Sequence, residues 1–227
     1  MSRPAPEVRG KGSAIVTGGR RAEMVLLFGV GPALLALGPR WTVTVGILAT
    51  GVVCGLLLLL DPTFPRSELV GMPGFRRGVR AVLARTAVFG ALLLGGAAVL
   101  AGKPLLPRAH PGLWALIMVL YPISAYAQEL VCRTFFFHRY GALFDRPVAR
   151  VLASGLAFGW AHVAVNNVPA LVLATAAGLV FASTYERWRS TLLVGLEHAL
   201  YGDLAFSAGL GSLFYASARW FKLWGHQ

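Results

Sequence analysis

Charge is scarce in this sequence of 227 residues, because Asp, Glu, Lys and Arg together make up only 13% of it. A soluble domain of similar size carries about a quarter charged residues. Acidic residues are especially few, with nine Asp and Glu against 21 Lys and Arg. The shortage of charge argues against a soluble globular domain, and the 56% of hydrophobic residues favours a polytopic membrane protein.

Cysteine is also rare, and both cysteines, Cys54 and Cys132, fall inside apolar runs. Two such residues build neither a disulfide framework nor a zinc cassette. The formal net charge is +12, but the basic residues lie between apolar runs and have no stacking aromatics among them. Membrane topology explains this pattern better than nucleic-acid binding does. We therefore expect a lipid bilayer around the protein and no nucleic-acid partner.

Apolar runs recur along the chain, most of them close to the roughly 20 residues that a membrane-spanning helix needs. They predict an all-α, polytopic membrane helix bundle with about eight transmembrane helices. The candidate spans are 24–39, 41–60, 81–102, 112–137, 148–165, 168–185, 190–203 and 204–221. No convincing internal repeat is visible, so the pattern does not favour an inverted-repeat transporter.

The distribution of polar and basic residues divides the chain and orients it. Residues 1–23 are polar and contain Pro and Gly, which predicts a disordered cytoplasmic tail. Residues 24–221 form the predicted bundle, and 222–227 form a short C-terminal tail. With the N-terminus in the cytoplasm, 17 of the 21 basic residues fall on the cytoplasmic side. The positive-inside rule therefore predicts that both termini are cytoplasmic.

Ionisable side chains interrupt three of the predicted spans, although a charge at mid-bilayer costs about 2.5–3.5 kcal/mol on the insertion scale. They are Glu129 and Arg133 in span 112–137, His162 in span 148–165, and Glu197, His198 and Asp203 in span 190–203. Counting about 1.5 Å per residue from the predicted cytoplasmic ends puts Glu129, His162 and His198 roughly 14, 21 and 12 Å deep. Three spans thus bring polar groups to one level, which indicates a site.

Each of these residues also has a purely structural explanation. Glu129 and Arg133 are four residues apart, so they could form an ion pair that makes the helix insertable. A buried histidine is commonly a hydrogen-bonded core residue. Glu197 could pair with Arg189 or cap a helix, and Asp203 could belong to a loop. The agreement in depth among three spans favours a site over this set of separate explanations.

Three short motifs on successive spans resemble the CPBP family, which comprises the CAAX prenyl proteases and related bacterial intramembrane glutamic endopeptidases, also called Abi proteins. The family patterns E-E-x-x-x-R, F-x-x-x-H and H-x-x-x-N correspond to QELVCR at 128–133, FGWAH at 158–162 and HALYG at 198–202. The resemblance covers about residues 112–203, the motif-bearing core. It implies a membrane helix bundle that acts as an intramembrane endopeptidase.

The resemblance also implies a reaction and roles for individual residues. The substrate would be a membrane-associated protein or peptide, cut near its C-terminus by water that a Glu and a His activate. His162 would orient or activate that water, and His198 would donate a hydrogen bond to the oxyanion. Arg133 would hold the acidic site in shape, and Phe158 opens the second motif. The resemblance implies neither a metal nor another cofactor.

Two positions depart from the family patterns. Gln128 stands where the family has its first Glu, and an amide cannot ionise or act as a base. Glu129 is the candidate replacement, although neighbouring residues point about 100° apart on a helix. Gly202 stands where the family has Asn, so it supplies no side-chain donor, and Asp203 or Tyr201 could supply one instead. We therefore assign Gln128, Gly202 and Asp203 to shaping the site or binding the substrate.

Other classes of function remain open on the sequence. A catalytically altered relative could hold a peptide or protein in the same cavity as a membrane binding module. One Glu and two His are acceptable zinc ligands, although no H-E-x-x-H is present. A transporter or proton relay would also use such residue types. The 18 Arg against three Lys indicate a GC-rich genome, and we expect a multi-pass protein of a bacterial inner membrane.

Overall fold

A computed structural model describes residues 11–39, 41–71, 74–101, 111–208 and 210. Within these ranges the regular structure is helical and contains no strand. The α-helices are α1 (Lys11–Val25), α2 (Gly31–Leu37), α3 (Trp41–Leu60), α4 (Phe75–Ala101), α5 (Pro111–Glu129), α6 (Phe136–Tyr140), α7 (Pro147–Ala161), α8 (Val168–Trp188) and α9 (Thr191–Ser207). The predicted all-α class is therefore confirmed.

Shorter helical turns connect several of these helices. Two π-helical turns, Leu26–Val30 and Leu130–Phe135, join α1 to α2 and α5 to α6. Turns of 3₁₀-helix occupy Arg66–Leu69, Gly141–Leu143 and His162–Val165. The π turn after α5 follows Glu129 directly, so the helix changes from α to π geometry within the first motif. This change was not predicted from the sequence.

Four helical segments in the described part of the chain are long and apolar enough to cross a membrane. They are Trp41–Leu60, Phe75–Gly96, Pro147–Val165 and Val168–Trp188. Large apolar side chains face outward along them, as a lipid-facing surface requires, including Leu60, Val52 and Leu92. The protein is therefore an integral membrane protein, while the full set of eight spans and the cytoplasmic termini stay predictions.

The ends of the chain differ from their predicted layout where the structure describes them. Helix α1 begins at Lys11, inside the segment 1–23 that the composition predicted to be disordered. Glu23 accounts for part of this order, because it accepts hydrogen bonds from the Arg139 guanidinium at 2.8 and 3.1 Å and from the Tyr140 hydroxyl at 2.9 Å. Residues 1–10 and the predicted tail 222–227 lie outside the described residues.

Helix α9 also departs from the predicted division into spans. It runs unbroken to Ser207, so the expected boundary between spans 190–203 and 204–221 is not at residue 203. Most of the predicted last span, from residue 211 on, lies outside the described residues. Asp203 consequently lies within a helix and not in the loop that the sequence allowed for it.

Side-chain caps set the starts of α8 and α9. The Asn167 side chain accepts a hydrogen bond from the Ala170 N–H at 3.2 Å, and Ser190 does the same for Leu193 at 3.2 Å. Such caps satisfy N–H groups that the first turn of a helix leaves without a partner. Because the connections on both sides of α8 are short, α7, α8 and α9 follow one another as antiparallel neighbours.

Glycines allow α7 and α8 to approach until their backbones nearly touch. A Cβ at Gly178 would lie 2.8 Å from the Gly155 carbonyl oxygen, and one at Gly159 would lie 2.8 Å from Cα of Thr175. Small residues at a membrane helix interface permit this separation. The close approach holds α7, which carries Phe158 and precedes His162, against the helix next to α9.

A short strap, residues 66–70, fastens the ends of α5, α8 and α9 together. Its buried Glu68 accepts a hydrogen bond from the Tyr185 hydroxyl at 2.6 Å and another from Arg189 at 3.1 Å. Its backbone carbonyls accept from the Tyr126 hydroxyl at 3.1 Å and from Thr191 at 2.9 Å. These bonds fix α5 relative to α9, the two helices that carry the first and third motifs.

Substituting Gly178 with Ala should destabilise the protein, because the new methyl group would press on the Gly155 carbonyl and the Phe158 ring. Overpacking of this kind costs about 1–3 kcal/mol. Gly95→Ala is the matched control, because a Cβ there meets nothing within 4 Å and Ala favours a helix. Thermal unfolding, measured for all proteins in the same detergent, should show a lower midpoint for Gly178→Ala than for wild type. The midpoint of Gly95→Ala should not be lowered. Equal midpoints for both variants would contradict the close packing of α7 on α8.

Candidate active site

A buried carboxylate lies at the centre of the three motifs. Glu129 is the last residue of α5, and its side chain is fully buried. Its Oε1 accepts a hydrogen bond from Nδ1 of His198 at 2.8 Å, and its Oε2 lies 3.0 Å from Nε of Arg133. The first and third motifs therefore meet at one carboxylate, although 69 residues separate Glu129 from His198.

Arg133 is fully buried within the π turn and is held by its own helix and by α7. Its Nη1 donates to the Ser154 hydroxyl at 3.5 Å and to the Cys132 carbonyl at 3.4 Å. Nη2 of Arg133 and Oε2 of Glu129 form no hydrogen bond with a described residue, so the contact between the two side chains is an ion pair by distance. A buried guanidinium is tolerated here because a carboxylate neutralises it.

Phe158 connects the arginine to both histidines. Its ring centroid lies 4.6 Å from Cζ of Arg133, which is a cation–π arrangement, and 5.4 Å from the His198 ring. Its backbone carbonyl lies 3.0 Å from Nδ1 of His162. Phe158, which the sequence placed in the second motif as a site-shaping residue, thus contacts three candidate site side chains, those of Arg133, His162 and His198.

The two histidines are held by different partners, but each uses Nδ1 for the described contact and leaves Nε2 on the other side of the ring. The Phe158 carbonyl only accepts, so Nδ1 of His162 carries hydrogen, and in the neutral ring the lone pair lies on Nε2. The His198 ring stacks on Phe181 at 4.8 Å and donates from Nδ1 to Glu129. His198 is buried and His162 is half-buried, which places His162 nearer to the edge of the site.

The remaining predicted site residues lie around this group without joining it through a described hydrogen bond. The half-buried Gln128 donates from Nε2 to the Ser124 hydroxyl at 3.2 Å on its own helix. Oδ1 of Asp203 is buried and forms no hydrogen bond with a described residue. Gly202 has no room for a side chain, because the ring of Tyr121 occupies the place where its Cβ would be.

Residues 110–202 match the family model described as type II CAAX prenyl endopeptidase Rce1-like. This confirms the resemblance that the three motifs indicated. The matched residues, called the Rce1-like segment below, run from the region before α5 to Gly202 and contain all three motifs. No curated protein and no solved structure matches this chain.

Next to His198 in the sequence, the buried Glu197 forms an ionic contact with the exposed Arg85 of α4. Its Oε1 lies 2.8 Å from Nη2 of Arg85, and its Oε2 accepts from the Thr184 hydroxyl at 2.5 Å. Arg189, which the sequence offered as its partner, instead pairs with Glu68. The sequence did hold a signal for this contact. Arg85 and Glu197 both lie about ten residues or fewer from the starts of predicted spans, 81–102 and 190–203, that begin on the cytoplasmic side, so they fall at similar depths.

The side chains around Glu129 bear on the zinc alternative. In the described ranges, no three side chains of His, Cys, Asp or Glu come together as ligands that could hold a metal ion. Glu129 and His198 are in contact with each other, and Arg133 occupies the other side of the carboxylate. The expectation that the site uses no cofactor stays a prediction.

Substituting Arg133 with Met should destabilise the protein strongly, because Glu129 would lose the cation beside its Oε2. Removing one partner of a buried ion pair costs about 3–5 kcal/mol. The double variant Arg133→Met with Glu129→Gln should recover part of this loss, since it leaves no uncompensated charge. Arg76→Met, at an exposed position of α4, is the matched control and should change little. Chemical unfolding in mixed micelles gives the stability of Arg133→Met, the double variant and Arg76→Met. If Arg133→Met were as stable as Arg76→Met, the ion pair would be refuted.

Proposed function

We propose that this protein is an intramembrane endopeptidase that hydrolyses a peptide bond near the C-terminus of a membrane-associated protein. The observation that carries the proposal is the hydrogen bond between His198 and the buried Glu129 inside the Rce1-like segment. Such a bond orders an imidazole at a depth where lipid disfavours both groups. We further propose that it acts in a bacterial inner membrane, which the arginine-rich composition favours.

We assign water activation to His162. Its Nδ1–H is held by the Phe158 carbonyl, so the basic nitrogen of the neutral ring is Nε2. A histidine can take up and return protons near neutral pH. His162 is also the more exposed of the two histidines, which suits a residue that must meet both water and substrate.

Glu129 then acts as a positioning residue rather than as the base. Each of its carboxylate oxygens already faces a cationic or hydrogen-bond-donating partner, and the side chain is fully buried. A carboxylate in this position fixes the orientation of the His198 ring, much as the acid of a catalytic triad does. Gln128 cannot take a proton, so its amide is left to orient water or peptide.

The reaction then proceeds in two stages. Water attacks the carbonyl carbon while its proton passes to Nε2 of His162, and the carbonyl oxygen becomes an oxyanion. An N–H at Nε2 of His198 donates to that oxyanion. When the tetrahedral intermediate collapses, the C–N bond breaks and the proton on His162 passes to the leaving amine. The products are a new C-terminal carboxylic acid, which then releases its proton to water, and a shorter peptide with a free amino group.

A second candidate function is a membrane binding module that holds a peptide or protein without cutting it. Gln128 is the observation that favours it, because the resemblance places an ionisable Glu at this position. The same buried ionic site would then keep the cavity in shape for binding. The two functions differ in turnover and not in fold, so an activity measurement separates them.

The proposed function is tested by mapping cleavage directly. Wild type and the variants Glu129→Gln, His162→Ala and His198→Ala are reconstituted in liposomes with membrane proteins from the same source. Mass spectrometry then identifies new C-termini. Wild type should generate products, and each variant should lose about 10²–10⁴-fold in rate, as expected for an essential acid–base or positioning group. His138→Ala is the matched histidine control, since His138 contacts Asp61 at 2.9 Å and not the site.

Two results would count against the proteolytic function. Products that persist in all three variants would show that the cleavage does not come from this site. If wild type cuts nothing while Gln128→Glu does, the protein is a binding module whose ancestral acid has been lost. Folding of each variant is checked by its thermal unfolding midpoint, so that loss of activity is not mistaken for loss of structure.

A further inference from the structure

Tyr121 occupies the space that a side chain at residue 202 would fill. An ideal Cβ on Gly202 would overlap the Cε1, Cζ and hydroxyl oxygen atoms of Tyr121. Tyr121 belongs to α5, and Gly202 belongs to α9, one helical turn beyond His198. Gly202 has no side chain, and the phenol of Tyr121 on α5 occupies the place that one would take.

The phenol lies against the residues of the site. The Tyr121 ring packs edge-on to the His198 ring at 5.8 Å and to the Phe206 ring at 5.1 Å. Along α5, Tyr121 precedes Gln128 by seven residues, which is two helical turns and the same helix face. The hydroxyl oxygen lies beside Gly202, at the place that a Cβ on this residue of α9 would take.

We infer that the Tyr121 hydroxyl is a hydrogen-bond donor to the substrate carbonyl oxygen, in place of a side chain at residue 202. This inference rests on the proposed function. Attack of water puts negative charge on the carbonyl oxygen, and donors held in place before the reaction stabilise that charge. Nδ1 of His198 is committed to Glu129, so this ring has only Nε2 to offer. Tyr121 supplies a second donor from the opposite helix.

The chemistry of a phenol suits this position. A phenolic hydroxyl can donate a hydrogen bond as well as accept one, so it can face an oxygen on which negative charge develops. No proton needs to leave Tyr121 during the reaction, because the hydrogen bond strengthens as the oxyanion forms and weakens as it collapses. The rigid ring, clamped by His198 and Phe206, also fixes the donor before substrate arrives.

The two residues that the sequence offered as replacements are placed less well. Tyr201 stacks on Phe89 at 4.4 Å and contacts Phe181 at 5.6 Å, so its ring is engaged by α4 and α8. Asp203, when ionised, has only acceptor oxygens and would repel an oxyanion. Neither lies in the space next to Gly202 that the Tyr121 hydroxyl occupies.

The test compares Tyr121→Phe with the matched control Tyr201→Phe, each of which keeps its ring and loses one hydroxyl. The probes are a fluorogenic peptide ending in a farnesylated CAAX sequence and its phosphinate analogue, which imitates the tetrahedral intermediate. Tyr121→Phe should lower kcat by about 10²–10³-fold with little change in KM, as loss of one oxyanion donor does. It should weaken phosphinate binding by a similar factor and leave binding of the uncleaved peptide unchanged. Tyr201→Phe should behave like wild type.

A steric exchange gives a second, independent measurement. Tyr121→Ala removes both the ring and the hydroxyl, and the double variant Tyr121→Ala with Gly202→Asn puts an amide donor into the vacated space. The double variant should recover part of the activity that Tyr121→Ala loses. Gly202→Asn alone should be poorly stable, because its side chain has no room beside Tyr121.

The outcomes separate this inference from the proposed function. If Tyr121→Phe keeps full kcat while Glu129→Gln and His198→Ala are inactive, the hydrolase stands and Tyr121 only fills space. If wild type neither cleaves the peptide nor binds the phosphinate more tightly than the peptide, the proposed function fails and this inference fails with it. Selective loss of phosphinate binding in Tyr121→Phe supports both.

Discussion

The contact between Glu129 and His198 is the interaction on which the rest of the site depends. It joins α5 to α9 through a hydrogen bond of 2.8 Å between two groups that are almost completely removed from solvent. Arg133 completes the arrangement from one helical turn further along. In a low-dielectric interior an unpaired Glu129 carboxylate or Arg133 guanidinium would be costly, so each of these charges requires the other. The helices that carry the three side chains are thereby held in one register.

The aromatic side chains around this ionic group serve both solvation and shape. Phe158 and Phe181 lie over the Arg133 guanidinium and also contact the His198 ring. A cation over a ring face recovers part of the solvation that burial removes. The same rings leave the imidazole few orientations, so the donors of the site are fixed before any substrate is present. This preorganisation is what electrostatic catalysis requires.

The rest of the bundle can be understood as the means of holding α5, α7 and α9 close together. Glycine contacts bring the α7 and α8 backbones near each other, and the strap 66–70 bonds to α5, α8 and α9 at their ends. Another ion pair, Arg85 with Glu197, joins α4 to α9. Polar contacts in this membrane protein therefore work between helices, where the hydrophobic effect supplies little selectivity.

The sequence by itself determined the class of the protein, the helical content, and the identity of the residues at the first, second and third motifs. These follow from local properties: apolar length, the cost of charge in lipid, and the order of a few short patterns. It did not determine the length of α1 or the course of α9 past Asp203. Composition describes a segment by itself, whereas the order of α1 also depends on contacts with distant residues, such as the one between Glu23 and Arg139. Nor did it determine that Arg85 pairs with Glu197, or that Tyr121 fills the space beside Gly202. Those are contacts between residues far apart in the chain, and only the packing of one helix on another decides which side chains share a space.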